Sequence, residues 1–452
     1  MRENKRPFFT CRSAFAAIFC LLAISGVTQS AFTQSLKVDR DRGREMLKTI
    51  KEDIKKTYYD SAYHGMDVDA RFKVADEKIK NATSNSQIFS IIAQALVDLD
   101  DSHTFFLPPD RVARVDYGWR MQMIGDTCYV VAVKPGSDAE AKGLRVGETV
   151  YSIDGYEPTR DNLWKIQYSY YTLKPRPGMR VVVQGFDNQL RQLDLLTKII
   201  APKERNFREE VREAKLSQRP QYYEIGNDLI VCNLPRFNLS EKEVDEMMKR
   251  IGNHKSLIFD LRGNPGGYEI TLKRLVGYFF DRDLKIADLK GRREMKPLVA
   301  KTRGNNIFKG QLAVLVDSRS ASASEIFARV AQIEKRGIVI GDRTAGAVMR
   351  GRMVGHAYER GVPDSAWLSF YGASITEADG IMADGKSLEY VGVLPDELLL
   401  PTAADLAAHR DPVLARAAAQ FGIKISAAKA GALFSPEQKT EVIADDEENE
   451  EK

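Results

Sequence analysis

Residues 310–348 read GQLAVLVDSRSASASEIFARVAQIEKRGIVIGDRTAGAV, and this stretch decides the fold. Residues 312–316 form a short, apolar, β-branched run that predicts a buried strand, and residues 325–333 keep the apolar spacing of a helix. Ser322 lies where the strand gives way to the helix. The N–H groups there are unpaired and the helix dipole favours negative charge, so the amide of Ala323 could donate to an oxyanion. The stretch predicts a serine nucleophile on a strand-to-helix turn.

From residue 222 onward, apolar strand-like runs alternate with helical stretches. The runs are DLIVCNL, SLIFDL, LAVLV and GIVIG, and the helical stretches cover residues 240–252, 268–280 and 324–335. This alternation predicts an α/β core with a largely parallel sheet, whose site lies at the carboxyl ends of the strands. The SASASE turn (320–325) and a GNPGG turn (263–267) both follow such strands, so we expect them to face one cleft.

Three blocks of sequence resemble the C-terminal processing, or tail-specific, serine proteases and their wider family. The blocks are SASASE with GIVIGDRTAG, SLIFDLRGNPGG at 256–267, and GKSLEYVGVLPDELLLPTAADLAAHRDPVLARAA at 385–418. The resemblance implies that Ser322 is the nucleophile, and that the N–H of Gly266 or Gly267 joins that of Ala323 in an oxyanion hole. It also implies a ClpP/crotonase-like α/β protease core over residues 222–425. A loop that needs only glycine flexibility is the other interpretation of the GNPGG turn.

The general base of the tail-specific branch is missing from this chain. In that branch the base is a lysine within a T-x-G-K sequence, and the matching residue in TAGA is Ala347. A serine hydroxyl is a weak nucleophile at its own pKa, so another group must accept its proton or the site is inactive.

His103, in LVDLDDSHTFFLPPD at 96–110, offers a replacement base because histidine titrates near neutral pH. In the tricorn-like branch of the family the corresponding segment supplies a catalytic histidine preceded by a serine, here Ser102. That branch completes its relay with a downstream carboxylate, for which Glu389 in LEYVGV is the best match. Structural interpretations stay open. His103 could hold a backbone carbonyl in a helix-ending turn that Asp100 or Asp101 caps. Glu389, as an acidic residue inside an otherwise apolar strand, could pair with Arg262.

Residues 113–200 resemble a PDZ domain, most closely over DYGWRMQMIGDTCYVVAVKPGSDAEAKGLRVGETVYSIDGYEP at 116–158. A PDZ domain binds a peptide C-terminus by strand addition, and amides of a glycine-containing loop hold the carboxylate. The resemblance assigns this loop to Tyr117, Gly118 and Trp119. Such a module would capture protein or peptide substrates or gate the site. Alternatively, it is a spacer and Trp119 fills its own groove.

The N-terminus has the pattern of a secretory signal peptide, predicted over residues 1–30. Four basic residues precede the apolar stretch 14–27, and small residues follow around 28–31. The apolar stretch is shorter than the ~20 residues of a spanning helix. We therefore expect export to a periplasmic or extracellular space, without a stable membrane span.

The remaining segments have simpler patterns. Residues 36–112 carry apolar side chains at helical spacing and predict a helical region that delivers His103 to the core. Residues 201–221 are charged and predict a linker, and residues 435–452 predict an acidic, disordered tail.

Composition agrees with a multi-domain α/β enzyme. At ~150 residues per domain, the 452 residues predict about three units, and 43% of them are hydrophobic. The net charge of +4 is small, and basic residues are interspersed with acidic ones, so nucleic-acid binding has no support. There is no C-x-x-C pair and no H-x-x-x-H spacing, so we expect no metal and no cofactor. Cys128 and Cys232 are expected to be buried and unpaired.

These patterns predict an exported serine endopeptidase that cleaves unfolded or C-terminally presented proteins captured by its PDZ domain. The first alternative is a catalytically inactive PDZ-containing adaptor that keeps the protease fold and binds peptides. A second is a small-ligand carrier, since the same core resembles the retinoid-binding modules of a photoreceptor matrix protein. Those modules lack a PDZ domain, which argues against the carrier.

Overall fold

The computed structural model describes residues 36–109, 114–200, 212–213, 215–360 and 367–434. The predicted signal peptide (1–30), the predicted tail (435–452) and residues 201–211 of the predicted linker lie outside these ranges. Within the described ranges, no helix is long and apolar enough to cross a membrane.

Three helices form the N-terminal unit. They are α1 (36–57), α2 (Val68–Lys80) and α3 (Asn85–Val97). Helices α2 and α3 begin at side-chain caps, because Asp67 accepts from the N–H of Ala70 and Ser84 accepts from the N–H of Gln87. Apolar residues spaced by three and four then bury one face of each helix, as the sequence predicts.

The N-terminal unit delivers the segment that carries His103. The buried faces of its helices share a core with Phe106, Tyr371 and Ile375, so the unit packs on a sheet of the C-terminal core. After α3 the chain turns through residues 98–104 and enters strand β1 (Phe105–Leu107). His103 is therefore fixed between a helical unit and a sheet.

A five-stranded antiparallel sheet follows, with strands in sequential order. The elements of this unit, residues 114–200, are β2 (Arg114–Asp116), β3 (Trp119–Ile124), β4 (Thr127–Val133), α4 (Asp138–Ala141), β5 (Thr149–Ile153), α5 (Leu163–Tyr168), β6 (Gly178–Gln184), β7 (Leu190–Leu196) and β8 (Lys198–Ile200). Strands β3–β7 form the sheet, while β2 and β8 pair with each other where the chain enters and leaves. The unit has its own apolar core. Its assignment as a PDZ domain stays a prediction.

The C-terminal core contains two further sheets. Its elements are β9 (Gln221–Ile225), β10 (Leu229–Asn233), α6 (Glu241–Ile251), β11 (Ser256–Asp260), α7 (Glu269–Val276), β12 (Leu284–Gly291), β13 (Leu298–Ala300), β14 (Gln311–Val316), α8 (Ala323–Ile333), β15 (Ile338–Gly341), β16 (Arg350–Arg360), β17 (Trp367–Met382), β18 (Glu397–Leu398), α9 (Ala403–Ala407), α10 (Pro412–Gln420) and α11 (Ala427–Ala432). The first sheet has the order β18-β15-β14-β11-β10-β9, and only the β10–β9 pairing is antiparallel. The second has the order β1-β17-β12-β13, with β16 also paired to β17.

The parallel strands are buried on both faces, which explains their continuous apolar runs. In β11, Leu257 and Phe259 join the cluster that includes α6, α7 and α8 residues, whereas Ile258 joins the cluster that includes α10 and α11 residues. The predicted α/β, multi-domain architecture is confirmed. Helix α7 ends at Val276, with Gly277 as its C-cap, instead of continuing to residue 280 as predicted. A Cβ at Gly277 would lie 2.0 Å from the carbonyl oxygen of Lys301, so only glycine fits at this cap.

Cys128 and Cys232 are buried and unpaired, as predicted. Cys128 lies in β4 and Cys232 in β10, so they belong to different units. Burial raises the pKa of the Cys128 thiol to about 12, which keeps it protonated and unreactive.

A buried ion pair joins the antiparallel unit to the core. The Arg160 guanidinium binds both carboxylate oxygens of Asp342 at 2.6 and 2.7 Å, and the two side chains are 13% and 7% exposed. Arg160 also donates to the carbonyls of Gly125 and Arg343. Nearby, the Gln122 amide donates to Asp317 at 2.8 Å. The unit is thus tied to the loops that follow β14 and β15.

We expect Arg160→Gln to lower the free energy of unfolding by about 3 kcal/mol, because it leaves the Asp342 carboxylate buried without its cation. Urea denaturation measures this. The matched control is Arg180→Gln, since Arg180 and Asp194 form an exposed pair at 2.8 Å in the same unit. Loss of the exposed pair should change stability far less, because water screens the two charges. Equal losses in the two variants would contradict the role given to Arg160.

Candidate active site

The backbone of Ser322 is in a conformation that few residues other than glycine adopt. Its φ is 57° and its ψ is −117°, and it forms the N-cap of α8. Such a conformation costs free energy and persists only where the surroundings enforce it. The flanking serines help to do so, because Ser320 donates to the carbonyl of Leu261 (2.8 Å) and Ser324 to that of Asn264 (2.9 Å). Two of the three serines in SASASE are therefore structural, and the middle one lines a cleft.

The GNPGG turn packs directly against the serine turn. The N–H of Ala321 donates to the carbonyl of Asn264 at 3.0 Å, and Asn264 itself is fully buried. Gly266 has a φ of 88°, and a Cβ there would lie 2.7 Å from the Cβ of Ser322. Glycine is thus required at this position for two reasons, its positive φ and its contact with the serine turn.

The two glycines predicted as oxyanion donors differ in whether their N–H groups already have an acceptor. The N–H of Gly266 donates to Oδ1 of Asn264 at 2.8 Å and is already in use. Among the described residues, no acceptor is found for the N–H of Gly267, and Gly267, Ser322 and Ala323 line the same cleft. Gly267 is the better candidate of the two, together with Ala323.

His103, Ser102 and Glu389 form a hydrogen-bonded relay. Nδ1 of His103 lies 2.7 Å from Oγ of Ser102, and that hydroxyl donates to Oε2 of Glu389 at 2.9 Å. The N–H of Ser102 donates to the other oxygen, Oε1, at 2.8 Å. Because the Ser102 hydroxyl gives its one proton to Glu389, it accepts from His103, which assigns the ring proton to Nδ1. Nε2 then keeps the lone pair that a general base needs.

Burial shifts the pKa values of two groups in this relay, His103 and Glu389. It lowers the pKa of His103 below its ordinary value of 6.5, against the opposing charge of Asp101. Burial also raises the pKa of Glu389, against the hydrogen bonds from Val348 and Ser102. A neutral imidazole at pH 7 is the form that can accept a proton.

The turn that holds His103 also agrees with the structural interpretation of the DSH segment. Oδ1 of Asp101 accepts from the N–H groups of His103 (2.9 Å) and Thr104 (2.8 Å) and from the hydroxyl of Thr376. The turn after α3 is therefore fixed by Asp101, while the His103 ring lines the cleft. The structure thus selects Asp101 from the two aspartates that the sequence offered as caps. Its side chain accepts from the N–H two residues later, which is the hydrogen bond of an Asx turn.

The alternative ion pair between Glu389 and Arg262 is wrong. Arg262 binds Asp260 (2.7 Å) and Asp411 (2.7 Å). The LEYVGV segment is a turn and not the apolar strand that the sequence suggested. A turn lets Glu389 reach both Ser102 and the N–H of Val348, the latter at 3.0 Å.

Glu325 links the serine turn to residues 344–347, whereas the sequence predicted it only as the first residue of a helix. Its side chain is fully buried. Oε1 accepts from the Thr344 hydroxyl (2.6 Å) and the N–H of Gly346 (2.7 Å), and Oε2 accepts from the N–H groups of Ser322 and Ala347, both at 2.9 Å. The sequence signal was an S-x-x-E spacing, typical of a helix capping box. Ala347 takes part here through its backbone.

Ser322 and His103 line one cleft of about 540 Å³. A Cβ at Gly351, the second residue of β16, would lie 3.3 Å from Cδ2 of His103, so the imidazole packs against this strand. The lining of the cleft includes the charged residues Glu269, Arg350, Arg352 and Glu377 and an apolar part made by Leu272, Ala287, Leu298, Ile326, Met382 and Leu388. The structure therefore brings Ser322, the His103 relay and both oxyanion candidates to a single cavity.

The predicted carboxylate-binding loop does not line this cleft. The Tyr117 hydroxyl donates to the carbonyl of Tyr170 at 3.0 Å, and the N–H of Gly118 donates to Asp116 at 2.9 Å. Trp119 lines a separate groove of only about 10 Å³, together with residues of β3 and α5. As it stands, this groove has no room for a peptide.

Comparison with known proteins relates the core to a family of peptidases. Residues 229–398 match the model of peptidase family S41. This segment of the chain is similar to a peptidase family S41 domain. Over 339 residues it is 24% identical to the tail-specific protease of Haemophilus influenzae, with 70% of this chain and 47% of the relative covered. Over 370 residues it is 25% identical to the chloroplastic C-terminal processing peptidase of Tetradesmus obliquus, with 77% and 75% covered. The chain thus spans about half the length of the first relative.

A solved structure supports the fold around this S41-like segment. Mature CPAF superposes with a TM-score of 0.59 at 13% identity, and the match covers 82% of this chain and 94% of CPAF. At this identity the likeness concerns the fold alone.

Ser102→Ala should slow labelling of Ser322 by a serine-reactive phosphonate about 100-fold, because His103 loses the group that orients its ring. The rate of labelling is followed by intact-mass spectrometry. Ser90→Ala is the matched control, since Ser90 donates only to the carbonyl of Ser86 within α3. An unchanged rate in Ser102→Ala would exclude the relay from activation of the nucleophile.

Proposed function

We propose that this protein is an exported serine endopeptidase of the C-terminal processing type. The observation that carries the proposal is the hydrogen-bonded relay from Glu389 through Ser102 to His103, whose imidazole shares a cleft with Ser322. The similarity to family S41 and the names of the relatives support peptide hydrolysis as the reaction. The signal-peptide pattern of residues 1–30 supports export.

In this mechanism Oγ of Ser322 attacks the carbonyl carbon of the scissile bond while Nε2 of His103 takes its proton. The carbonyl oxygen becomes an oxyanion that the N–H groups of Ala323 and Gly267 stabilise. The imidazolium then protonates the amine nitrogen as the C–N bond breaks, and the acyl group stays on Oγ of Ser322. A water molecule, deprotonated by His103 in the same way, attacks this ester, and the acid leaves as Ser322 regains its proton. Ser102 and Glu389 keep Nδ1 protonated and stabilise the positive charge that forms on the ring.

The relay supplies the base that Ala347 cannot supply. In the inactive-adaptor alternative, a buried glutamate and a serine would orient an imidazole that performs no chemistry. Polar groups are buried at a cost and need a compensating role, so the enzyme is favoured. The small-ligand carrier gains no support from a relay of this kind.

Substrate capture by the antiparallel unit is a further part of the proposal. The predicted groove is lined by Trp119 and by Tyr170 and Tyr171, and it holds about 10 Å³. The indole Nε1 of Trp119 is buried with no hydrogen-bond partner among the described residues. We propose that a bound peptide displaces these rings and offers an acceptor to that N–H.

The test is hydrolysis of casein by the mature chain, with Ser322→Ala and His103→Ala as variants. We expect both variants to lose at least about 1000-fold in kcat/KM, because nucleophile and base act as a unit. Loss in Ser322→Ala alone would keep the nucleophile and exclude His103 as the base. A wild type that binds peptides but hydrolyses no unfolded substrate would favour the adaptor.

The apolar part of the cleft predicts the substrate side chain that precedes the scissile bond. Ile326 lies one turn into α8 from Ser322 and lines this part together with Leu272 and Met382. A charged side chain placed against these apolar residues would be desolvated, and Arg350 of the same cleft is already paired with Glu269 and Glu377. We expect peptides with leucine at this position to be cleaved about 100-fold faster than those with aspartate, measured as kcat/KM on a matched fluorogenic series. Equal rates would contradict the assignment of this pocket.

A further inference from the structure

Glu325 connects the Ser322 turn to the 344–348 loop, which in turn contacts Glu389 of the relay. It lies one turn into α8 from Ser322, and its carboxylate reaches back to the N–H of Ser322 at 2.9 Å. The same carboxylate binds residues 344–347 through one hydroxyl and two N–H groups. The next N–H along that loop, of Val348, donates to Glu389 at 3.0 Å. Two carboxylates therefore hold one short loop from its two ends.

Further contacts fix the same loop to the segment that carries Glu389. The N–H of Tyr390 donates to the carbonyl of Gly346 at 2.8 Å, and the N–H of Val393 donates to the Thr344 hydroxyl at 2.6 Å. A Cβ at Gly346 would lie 3.0 Å from the carbonyl carbon of Tyr390, so the backbones touch. A shift of the 344–348 loop would therefore displace Glu389 together with it.

We propose that Glu325 is a positioning residue that sets the geometry between the Ser322 turn and the Glu389 end of the relay. The inference rests on the proposed peptidase function. Glu325 touches no reacting atom, because all four of its hydrogen bonds go to the backbone and to Thr344. It holds the Ser322 turn, which follows β14, at a fixed distance from the 344–348 loop, which follows β15.

The bonding pattern requires the ionised carboxylate. Each oxygen of Glu325 accepts two hydrogen bonds, so a proton on either oxygen would face a donor and break at least one bond. Burial raises the pKa of Glu325 to about 7, and its four hydrogen bonds oppose the rise. Three charged residues lie on the neighbouring loops: Asp342, Arg343 and Glu389. The Asp342 carboxylate binds Arg160, and the Glu389 carboxylate accepts from the N–H groups of Ser102 and Val348. As the pH falls through about 7, the carboxyl gains a proton and loses at least one of these hydrogen bonds, which changes the spacing of the two loops without opening the site to solvent.

The first test compares Glu325→Gln with wild type on a fluorogenic peptide. Glutamine keeps the volume, but its NH₂ group faces donors. We expect kcat to fall about 100-fold with KM changed less than about 2-fold, because misplacement of the catalytic groups leaves the substrate pocket intact. Glu334→Gln is the matched control, since Glu334 lies at the other end of α8 and binds Arg282 at 2.6 Å. A normal kcat in Glu325→Gln, or an equal loss in Glu334→Gln, would overturn the proposal.

The second test is the pH profile of kcat/KM. In wild type the acidic limb should lie near pH 7, where Glu325 ionises; in Glu325→Gln it should move below 6.5, where only His103 titrates. Thr344→Val removes one hydrogen bond to the carboxylate and should move the limb above that of wild type. This variant also covers the case in which Glu325→Gln does not fold. An acidic limb that stays in place in the variants would overturn the proposal.

Hydrogen exchange separates this inference from the proposed function. In the Glu325 and Thr344 variants, we expect amides of residues 343–348 and of the Ser322 turn to exchange at least about 10-fold faster than in wild type. The measurement needs no activity. If wild type hydrolyses nothing, the proposed function fails while exchange still decides the role of Glu325. Unchanged exchange in an active protein would overturn the role of Glu325 and leave the peptidase standing.

Discussion

The packing of the GNPGG turn against the SASASE turn is the contact on which the rest of the site depends. Asn264 binds the serine turn through its carbonyl and the glycine turn through its side chain, and it is fully buried. Gly266 approaches Ser322 so closely that no side chain fits between them. Because both turns follow parallel strands, the sheet brings them to one edge and Asn264 fixes their separation. The unusual backbone of Ser322 is the result of this packing, and the same packing places the N–H groups of Gly267 and Ala323 in one cleft.

Local patterns in the sequence were sufficient for the architecture and for part of the site. Strands β10, β11, β14 and β15 appear where continuous apolar runs predicted them, because strands buried on both faces need such runs. Ser322, Ser102, His103 and Glu389 were expected from motif resemblance, and the hydrogen bonds among the last three agree with that expectation. The choice between Gly266 and Gly267 could not be made from sequence, because it depends on which N–H the Asn264 side chain uses.

The distant partners of Glu325 and Asp101 could not be predicted from the sequence for a related reason. Each accepts hydrogen bonds from residues close in the chain, which an Asx turn or a capping box predicts, and also from residues far away in the chain. Glu325 binds Gly346 and Ala347 across the fold, and Asp101 binds Thr376. Local spacing carries no information about such distant partners. The error about Arg262 has the same origin, since Asp411 lies 149 residues from it in the chain.

The ion pair between Arg160 and Asp342 has a consequence for how this chain can be dissected. Removal of residues 114–200 would take away Arg160 and also Gln122, so that Asp342 would lose its cation and Asp317 one of its hydrogen-bond donors in the loops near Ser322. A core shortened in this way differs from the core of the intact chain, because the buried Asp342 carboxylate would be left without its cation. The antiparallel unit is therefore best regarded as a support for the loops that form the candidate active site. Loss of activity on its deletion would report on that support as much as on peptide capture.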